Sequence, residues 1–366
     1  MDAKPGHAEL RVRWDALLRA LPAAVRDAHV ADARVLHLPA QRPPWTDTGL
    51  AVAAGDDVTL LAEGRVVLSE ALDLWGAPRL FLWGRFAPGG RVWNGTRDTT
   101  TQRADRAGRV ELGIYQGEWA SETGELATPP EAYAALGGGY DVALIRWRQG
   151  ARAGLDALRA AVSDPLLDAE AARLAAPAPP PAGWSYLWFL GPAEIFRAAR
   201  RDGRDAIALH AENDLGILRK PVDFALDADT ALSWSWRVDA LPADRAEDTL
   251  PTHDYLSVAL EFENGLDLTW TWSAALPAGR HYACPLPHWN ARETHWVVRS
   301  GRDGLGVWQD ESRRVLADYA QAVAAPPPQR VVAVWLIAVS IFRHGTARAQ
   351  ISDIALRSGA RTLSVL

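Results

Sequence analysis

One cysteine, Cys284, is all that the 366-residue sequence contains, and this excludes an internal disulfide framework. Clusters of lysine or arginine interleaved with aromatic residues are also missing, and the net charge is −6 at pH 7. Nucleic acid is therefore not an expected partner. The first residues lack the apolar stretch and small-residue cleavage site of a secretory signal, so we expect a cytoplasmic location.

Long hydrophobic runs are also missing from the sequence. The longest, Val331–Ile341, is much shorter than the roughly 20 residues that a transmembrane helix needs. It predicts a buried strand, and no membrane partner is expected. Nothing in the sequence indicates an oligomeric state.

Tryptophan, by contrast, is abundant, with 17 residues in a chain that is 48% hydrophobic and 23% charged. That composition is ordinary for a globular protein with a substantial core. From about residue 35, short β-like runs alternate with glycine-containing turns. Such spacing is typical of a β-sandwich or jelly roll.

The order of patterns predicts a mainly β protein with two jelly-roll-like sandwiches joined by a helical connector. A proline-rich stretch, "APAPPPAG", gives the clearest boundary between domains. The expected divisions are a helical N-terminal segment (1–34), a first, lectin-like sandwich (35–149), a helix and proline-rich linker (150–183) and a second sandwich (184–366).

Two tryptophan pairs, in "LSWSWRVDALP" and "LDLTWTWSAALP", raise the question of whether the indoles bind ligands or fill a core. Residues two apart share one face of a strand, so Trp234 and Trp236 lie in register with Leu232 and Val238. This favours the packed interior. The alternative is a concave sheet face on which the indoles stack against sugar rings. The opposite face, which carries polar residues such as Arg237, is a third candidate for ligand contact.

The region from Trp184 onward resembles a bacterial family known as domain of unknown function 3047. The resemblance rests on "LSWSWRVDALP", "HDYLSVALEF", "WVVRSG", "GVWQDESRRVLADY" and "ISDIAL". It implies a fold like that of carbohydrate-binding jelly rolls but supplies no established activity. The family's characteristic positions fall on Asp254, Tyr255, Trp308, Arg313, Asp318, Tyr319 and Asp353. Where the family has an acid-rich segment before its last strand, this chain has "AVSIFRH".

The first β region is similar to calcium-dependent galactose-binding lectins of the PA-IL type, through "TGLAVAAGDDVTLLAEGR" and "LGIYQGEWASETGEL". The resemblance implies a calcium loop at Gln116–Thr123, with Glu118, Ser121 and Glu122 as ion ligands. Ser121 and Glu122 stand where the lectins have two asparagines. Oxygen ligands on a loop suit a hard cation, and a solvated acidic loop is the alternative. The expected ligand-contacting residues are Glu118, Trp119 and Glu122 here, with Arg237 and Trp308 in the second sandwich.

The stretch "HYACPLPHWNARETHW" brings His281, Cys284, His288 and His295 close together in sequence. Their spacing is compatible with zinc binding. Two alternatives remain open: a nucleophilic Cys284 paired with one of these histidines, or a structural loop.

Carboxylates offer a second possible chemistry. His253 and Asp254 stand at the start of a predicted strand, Glu261 and Glu263 lie further along it, and Glu212 ends another. Two acids across a cleft are what glycoside hydrolysis requires, so we take Asp254, Glu212 and His253 as candidate catalytic residues. Surface carboxylates are the alternative.

Three functions remain open on these patterns. The first is a glycan-binding protein, assisted by calcium. The second is an enzyme that acts on a carbohydrate or another small molecule with an apolar ring, at a carboxylate site between the domains. The third is an interaction protein whose exposed aromatic residues mediate assembly.

Overall fold

The computed structural model describes residues 7–42, 44–94, 98–115 and 117–366. The chain divides into two compact units, Met1–Pro177 and Ala178–Leu366, and the division falls inside the proline-rich stretch. Among the helices of the described residues, none is long and apolar enough to cross a membrane. The mainly β fold class is confirmed.

The first unit is built on two β-sheets. Strands β1, β9, β3 and β4 form one sheet in that order, with β7 also paired to β3, and β2, β8, β5 and β6 form the other. Its strands are β1 (Val30–Pro39), β2 (Thr46–Val52), β3 (Asp57–Ser69), β4 (Leu74–Gly76), β5 (Leu82–Ala87), β6 (Trp93–Asn94), β7 (Thr99–Arg103), β8 (Gly108–Ile114) and β9 (Gly137–Trp147).

Helices cover the outer face of the five-stranded sheet of this unit. They are α1 (His7–Ala20), α2 (Ala23–His29), α4 (Ala151–Ala161) and α5 (Pro165–Ala175). The short α3 (Pro78–Phe81) and a 3-10 helix (Pro130–Ala135) instead bury Phe81 and Tyr133 in the core between the two sheets. Trp14, Leu155 and Leu158 pack with Ile145 and Trp147 of the sheet. The predicted N-terminal and connector helices are therefore parts of the first unit, because their apolar faces are buried on its sheet.

The second unit contains a seven-stranded and a six-stranded sheet. Strands β10-β13-β20-β15-β16-β18-β17 form the larger sheet and β11-β12-β21-β14-β19 the smaller, with β22 paired to β21. Its strands are β10 (Ser185–Tyr186), β11 (Phe196–Arg201), β12 (Arg204–Glu212), β13 (Leu215–Ala225), β14 (Ala231–Ala240), β15 (Tyr255–Phe262), β16 (Asp267–Ser273), β17 (His281–Ala283), β18 (Glu293–Ser300), β19 (Trp308–Arg314), β20 (Arg330–Val339), β21 (Thr346–Ser358) and β22 (Arg361–Ser364). A 3-10 helix (Leu250–Thr252) and α6 (Val315–Ala322) complete the unit.

The four paired indoles form the centre of the second unit. Trp234 and Trp236 come from β14 of the smaller sheet, and Trp270 and Trp272 come from β16 of the larger one. All four are at most 1% exposed. Their ring centroids lie 6.1 Å apart for Trp234 and Trp270, and 5.7 Å for Trp236 and Trp272. The prediction that these indoles fill the core is confirmed.

The outer face of the seven-stranded sheet carries polar side chains that are buried. Side chains alternate along a strand, so the residues of β16 that alternate with Trp270 and Trp272 point outward. They are Thr269, Thr271 and Ser273. They are nevertheless at most 2% exposed. Polar side chains are therefore buried on this face, and they need partners there.

Candidate functional site

Three metal-ligating side chains meet on the outer face of the seven-stranded sheet. His253 follows the 3-10 helix, Cys284 follows β17, and His295 lies on β18. One ligand atom from each lies within 4.8 Å of the others, and all three residues are at most 1% exposed. We call this set the histidine–cysteine cluster.

Hydrogen bonds orient His253 in this cluster. Its Nδ1 lies 2.7 Å from the backbone carbonyl of Glu247, so Nδ1 carries the proton and donates it. Its Nε2 is then an acceptor that faces Cys284 Sγ at 3.4 Å. Burial, together with the neighbouring His295, lowers the pKa of His253 to about 3. The ring is therefore neutral at pH 7.

Glu293 borders the cluster from the beginning of β18. Its Oε1 accepts hydrogen bonds from the hydroxyls of Tyr255 (3.1 Å) and Thr269 (3.3 Å), and it lies 3.4 Å from His295 Nε2. Burial works to raise the pKa of Glu293, but its interactions with His295, His253 and Cys284 together outweigh burial and lower the pKa. A carboxylate is thus buried beside two imidazoles and a thiol.

Glu293 is also the end of a row of acids across three neighbouring strands. Glu261 of β15 pairs with Asp267 of β16, and Asp267 pairs with Glu293 of β18. Burial, and then the charge of Glu293, raises the pKa of Asp267 well above its ordinary value. We call Glu261, Asp267 and Glu293 the acidic row.

An open cleft of about 360 Å³ reaches the other end of the acidic row. Aromatic side chains line it: Trp188, Phe189 and Trp335. Charged side chains line it too: Arg219, Glu261, Asp267 and Arg292. Trp188 is 40% exposed, whereas Trp335 is 5% exposed. All of these residues belong to the second unit.

The polar groups of the cleft are held in place by one another. Arg219 Nε donates to Glu261 Oε2 at 2.8 Å, and Trp335 Nε1 donates to the same oxygen at 3.1 Å. The guanidinium of Arg292 lies 3.8 Å from the ring centroid of Trp289, which makes a T-shaped contact with Trp335. The cleft thus combines ring surfaces with oriented donors and acceptors.

The structure corrects the ligand set predicted for zinc. Of the four predicted residues only Cys284 and His295 are in the cluster, and the second histidine is His253. His281 stacks on Trp296 at 5.2 Å, because it is one residue before Tyr282, the residue whose ring stacks on His295. Neighbouring residues of a strand face opposite sides. His288 is exposed in the following loop.

The environment of Cys284 does not favour its predicted role as a nucleophile. Burial, and then the charge of Glu293, raises the pKa of the Cys284 thiol. The thiol is also 1% exposed. A nucleophile must be a thiolate that the substrate can reach, whereas the Cys284 thiol is kept protonated and is not among the residues that line the cleft.

The predicted catalytic residues do not converge. His253 belongs to the cluster, whereas the fully buried Asp254 accepts hydrogen bonds from the amides of Phe342 (2.9 Å) and Arg343 (2.7 Å). Burial raises the pKa of Asp254 to about 6. Glu212 is exposed at the end of β12 in the other sheet, and Glu263 accepts the amides of Gln329 and Arg330.

In the first unit, the residues predicted for calcium and sugar contact mostly have partners. Trp119 is 4% exposed and packs against Trp45 and Tyr115 at 5.1 and 4.2 Å, so a ligand could reach its ring only if these rings moved. Glu122 pairs with Arg91 at 2.8 Å, and Ser121 binds within its own loop. The backbone carbonyl of Glu118 accepts from Tyr115. Gln116 lies outside the described residues.

Arg237 and Trp308, the other two predicted contact residues, are brought together. They are cross-strand neighbours of β14 and β19 on the outer face of the smaller sheet. Trp308 Nε1 donates to Asp202 at 2.9 Å, and Arg204 lies over its ring at 5.1 Å. Arg237 donates to Asp239 at 3.0 Å. This face is a second aromatic and charged surface of the unit.

Comparison with a known family bears on the unit that carries the cleft. Residues 182–355 match the family described as "Protein of unknown function (DUF3047)". The resemblance predicted from the sequence motifs of this half is confirmed. No curated protein matches the chain.

Two solved structures are similar to parts of the chain. One is "EclA N-terminal domain; PllA-like lectin", with 18% identity and a TM-score of 0.25, covering 33% of this chain and 98% of that one. The other is an exo-beta-agarase, with 10% identity and a TM-score of 0.27, covering 51% of this chain and 24% of that one. At these values neither structure indicates what this chain binds.

The DUF3047 region uses most of its characteristic positions for structure. Arg313 donates to both carboxylate oxygens of Asp318 at 2.7 and 2.8 Å, and Asp318 also accepts from Trp270 Nε1. Tyr319 packs edge-on against Phe262 in the core. Asp353 pairs with Arg204 at 2.8 Å. Tyr255, by contrast, lies in contact with the histidine–cysteine cluster.

Sequence reasoning missed most of the cleft. Trp188, Arg219, Asp267 and Trp335 come from segments far apart in the chain, and only Glu261 was among the acids considered. The sequence does contain a signal for Asp267, because it is spaced by two from the outward-facing Thr269 and Thr271 and so shares their face of the strand. It becomes informative only once the pairing of β15 with β16 is known.

Proposed function

We propose that the DUF3047 region binds a carbohydrate in the cleft on the outer face of its larger sheet. The observation that carries the proposal is the exposed Trp188 beside the charged groups of Arg219, Glu261 and Arg292. The C–H faces of a sugar ring pack on an indole, and its hydroxyls bind to carboxylate and guanidinium groups.

The size and composition of the cleft support this choice. Its volume of about 360 Å³ lies in the range of small-molecule sites, which have mainly apolar linings and a few oriented polar groups. Trp188 is also the one tryptophan among the large hydrophobic side chains that are exposed in the described chain. When a sugar ring packs on an exposed indole, removing water from the indole face costs little free energy.

Titration calorimetry with a panel of saccharides tests the proposal. For the tightest-binding saccharide, we expect Trp188→Ala to weaken binding about tenfold or more, which corresponds to about 1.4 kcal/mol. Trp308→Ala is the matched control, because it removes an indole from the outer face of the other sheet. We expect this variant to bind as the wild type does.

Two outcomes would contradict the proposal. One is binding that Trp308→Ala abolishes and Trp188→Ala leaves intact. The other is binding that disappears in EDTA and returns with calcium. The second outcome would instead support the calcium loop at Glu118, Ser121 and Glu122, which stays a prediction from resemblance alone.

A second function, glycoside hydrolysis, is favoured by the position of two acids. Glu261 and Asp267 are directly opposite on antiparallel strands, and both line the cleft. Opposite residues have Cβ atoms about 4.5–5.5 Å apart. Retaining glycosidases need two carboxyl groups about 5–5.5 Å apart, a spacing that Glu and Asp side chains on opposite residues can adopt. This pair replaces Asp254 and Glu212 as the carboxylates that geometry favours.

Release of reducing sugar from the bound saccharide tests this second function. We expect Glu261→Gln and Asp267→Asn each to lower turnover about 100-fold or more. Glu263→Gln and Glu212→Gln are controls outside the cleft, and we expect them to retain turnover. If the wild type binds a saccharide and releases no reducing sugar, or if Glu261→Gln turns over normally, the cleft is a binding site only.

A further inference from the structure

We propose that His253, Cys284 and His295 bind a zinc ion on the outer face of the larger sheet. None of these residues lines the cleft, and the inference does not depend on the proposed function. The three residues come from three segments, yet their ligand atoms lie within 4.8 Å of one another. Two imidazole nitrogens and a thiolate are ligands that zinc prefers over the hard cations.

The separations are close to those that a zinc ion imposes. Bond lengths of about 2.0–2.1 Å to nitrogen and 2.3 Å to sulfur place tetrahedral ligands roughly 3.3–3.6 Å apart. Cys284 Sγ and His253 Nε2 are 3.4 Å apart. Bringing the most distant pair to the same spacing requires a side-chain movement of roughly 1 Å.

The hydrogen bond made by His253 is the kind that zinc-binding histidines make. A ligating histidine usually donates its other ring N–H to a carbonyl or carboxylate, which fixes the tautomer and the ring orientation. His253 donates Nδ1–H to the carbonyl of Glu247 and so turns the lone pair of Nε2 toward Cys284. The ligand atom is thus oriented in advance.

His295 supplies an independent observation. It is fully buried, its Nδ1 has no hydrogen-bond partner within the described ranges, and its Nε2 has the carboxylate of Glu293 at 3.4 Å. A buried polar atom without a partner is costly unless another ligand satisfies it. Nε2 lies 3.4 Å from Glu293 Oε1, a spacing that suits two ligands of one ion.

Glu293 is therefore the candidate fourth ligand. Tyr255 and Thr269 donate to its Oε1 and hold the carboxylate beside His295. A site closed by four protein groups is typical of structural zinc, which stabilises the fold. Here the ion would join the segment after the 3-10 helix, the loop after β17 and strand β18.

Metal analysis of the full-length protein tests the inference. After expression with zinc and gel filtration, we expect about one zinc ion per chain. We expect Cys284→Ser, which keeps the shape of the side chain, to retain about tenfold less zinc. In the cobalt-substituted wild type, a thiolate-to-cobalt charge-transfer band should appear in the near ultraviolet. It should be absent from Cys284→Ser.

His281→Ala and His288→Ala are the matched controls. These histidines flank Cys284 in sequence but lie outside the cluster, so we expect both variants to keep the zinc and the cobalt band. Wild-type protein that holds less than about a tenth of an equivalent after exposure to zinc would overturn the inference. So would loss of the metal from either control variant, because another ligand set would then hold it.

Discussion

At the scale of single residues, the indoles of the core differ in how their N–H groups are satisfied. Trp270 donates to Asp318, Trp236 to Glu311 and Trp272 to the carbonyl of Gly301. Trp234 Nε1 is buried and has no hydrogen-bond partner in the described part of the chain. The four rings contribute similar apolar area, so their contributions to stability should differ through the N–H groups.

This difference predicts unequal effects of the same substitution. Trp270→Phe removes a hydrogen bond from the buried Asp318, and we expect it to lower the free energy of unfolding by about 1–3 kcal/mol beyond the effect of the smaller ring. Trp234→Phe removes an N–H without a partner, so only the change of ring size, on the order of 1 kcal/mol, should remain. Urea unfolding measures both variants. Equal losses, or a larger loss for Trp234→Phe, would contradict this explanation.

At the scale of elements, the loop between β20 and β21 depends on one carboxylate. Asp254 begins the segment that leads into β15, and its two oxygens accept the amides of Phe342 and Arg343. This loop contains the last five residues of the "AVSIFRH" segment, in which the chain differs from the acid-rich pattern of DUF3047; the first two residues of the segment end β20. Asp254 therefore holds the loop in place, whereas the sequence suggested catalysis.

The structural role of Asp254 predicts a loss of stability. Asp254→Asn leaves one buried amide N–H without an acceptor, and we expect the free energy of unfolding to fall by about 1–3 kcal/mol. Glu212→Gln, at an exposed position, should change it by no more than about 0.5 kcal/mol. Thermal unfolding of both variants is the measurement. An unchanged melting temperature for Asp254→Asn would show that the carboxylate does not anchor the loop.

Elements also show why the sequence predicts the core better than the site. The alternation of Leu232, Trp234, Trp236 and Val238 is local, so a period of two is enough to place them inside. The histidine–cysteine cluster depends on pairings that the sequence does not display. His295 reaches it through the parallel pairing of β16 with β18, and His253 lies 31 residues before Cys284.

At the scale of the whole molecule, the two units divide the sequence-based hypotheses between them. The predicted calcium loop lies in the first unit, and the cleft and the histidine–cysteine cluster lie in the second. The division between the units falls inside the proline-rich stretch, whose composition is a local property of the sequence. The cleft was not predictable in the same way, since Trp188, Glu261 and Trp335 meet only after the seven-stranded sheet has formed.

A crystal structure of the protein with the saccharide that it binds most tightly tests the central claim most directly. We predict a sugar ring on the face of Trp188, with hydroxyls bound to Arg219, Glu261 or Arg292. A ring seated on Trp308 on the smaller sheet, or at the Glu118–Glu122 loop of the first unit, would contradict the account.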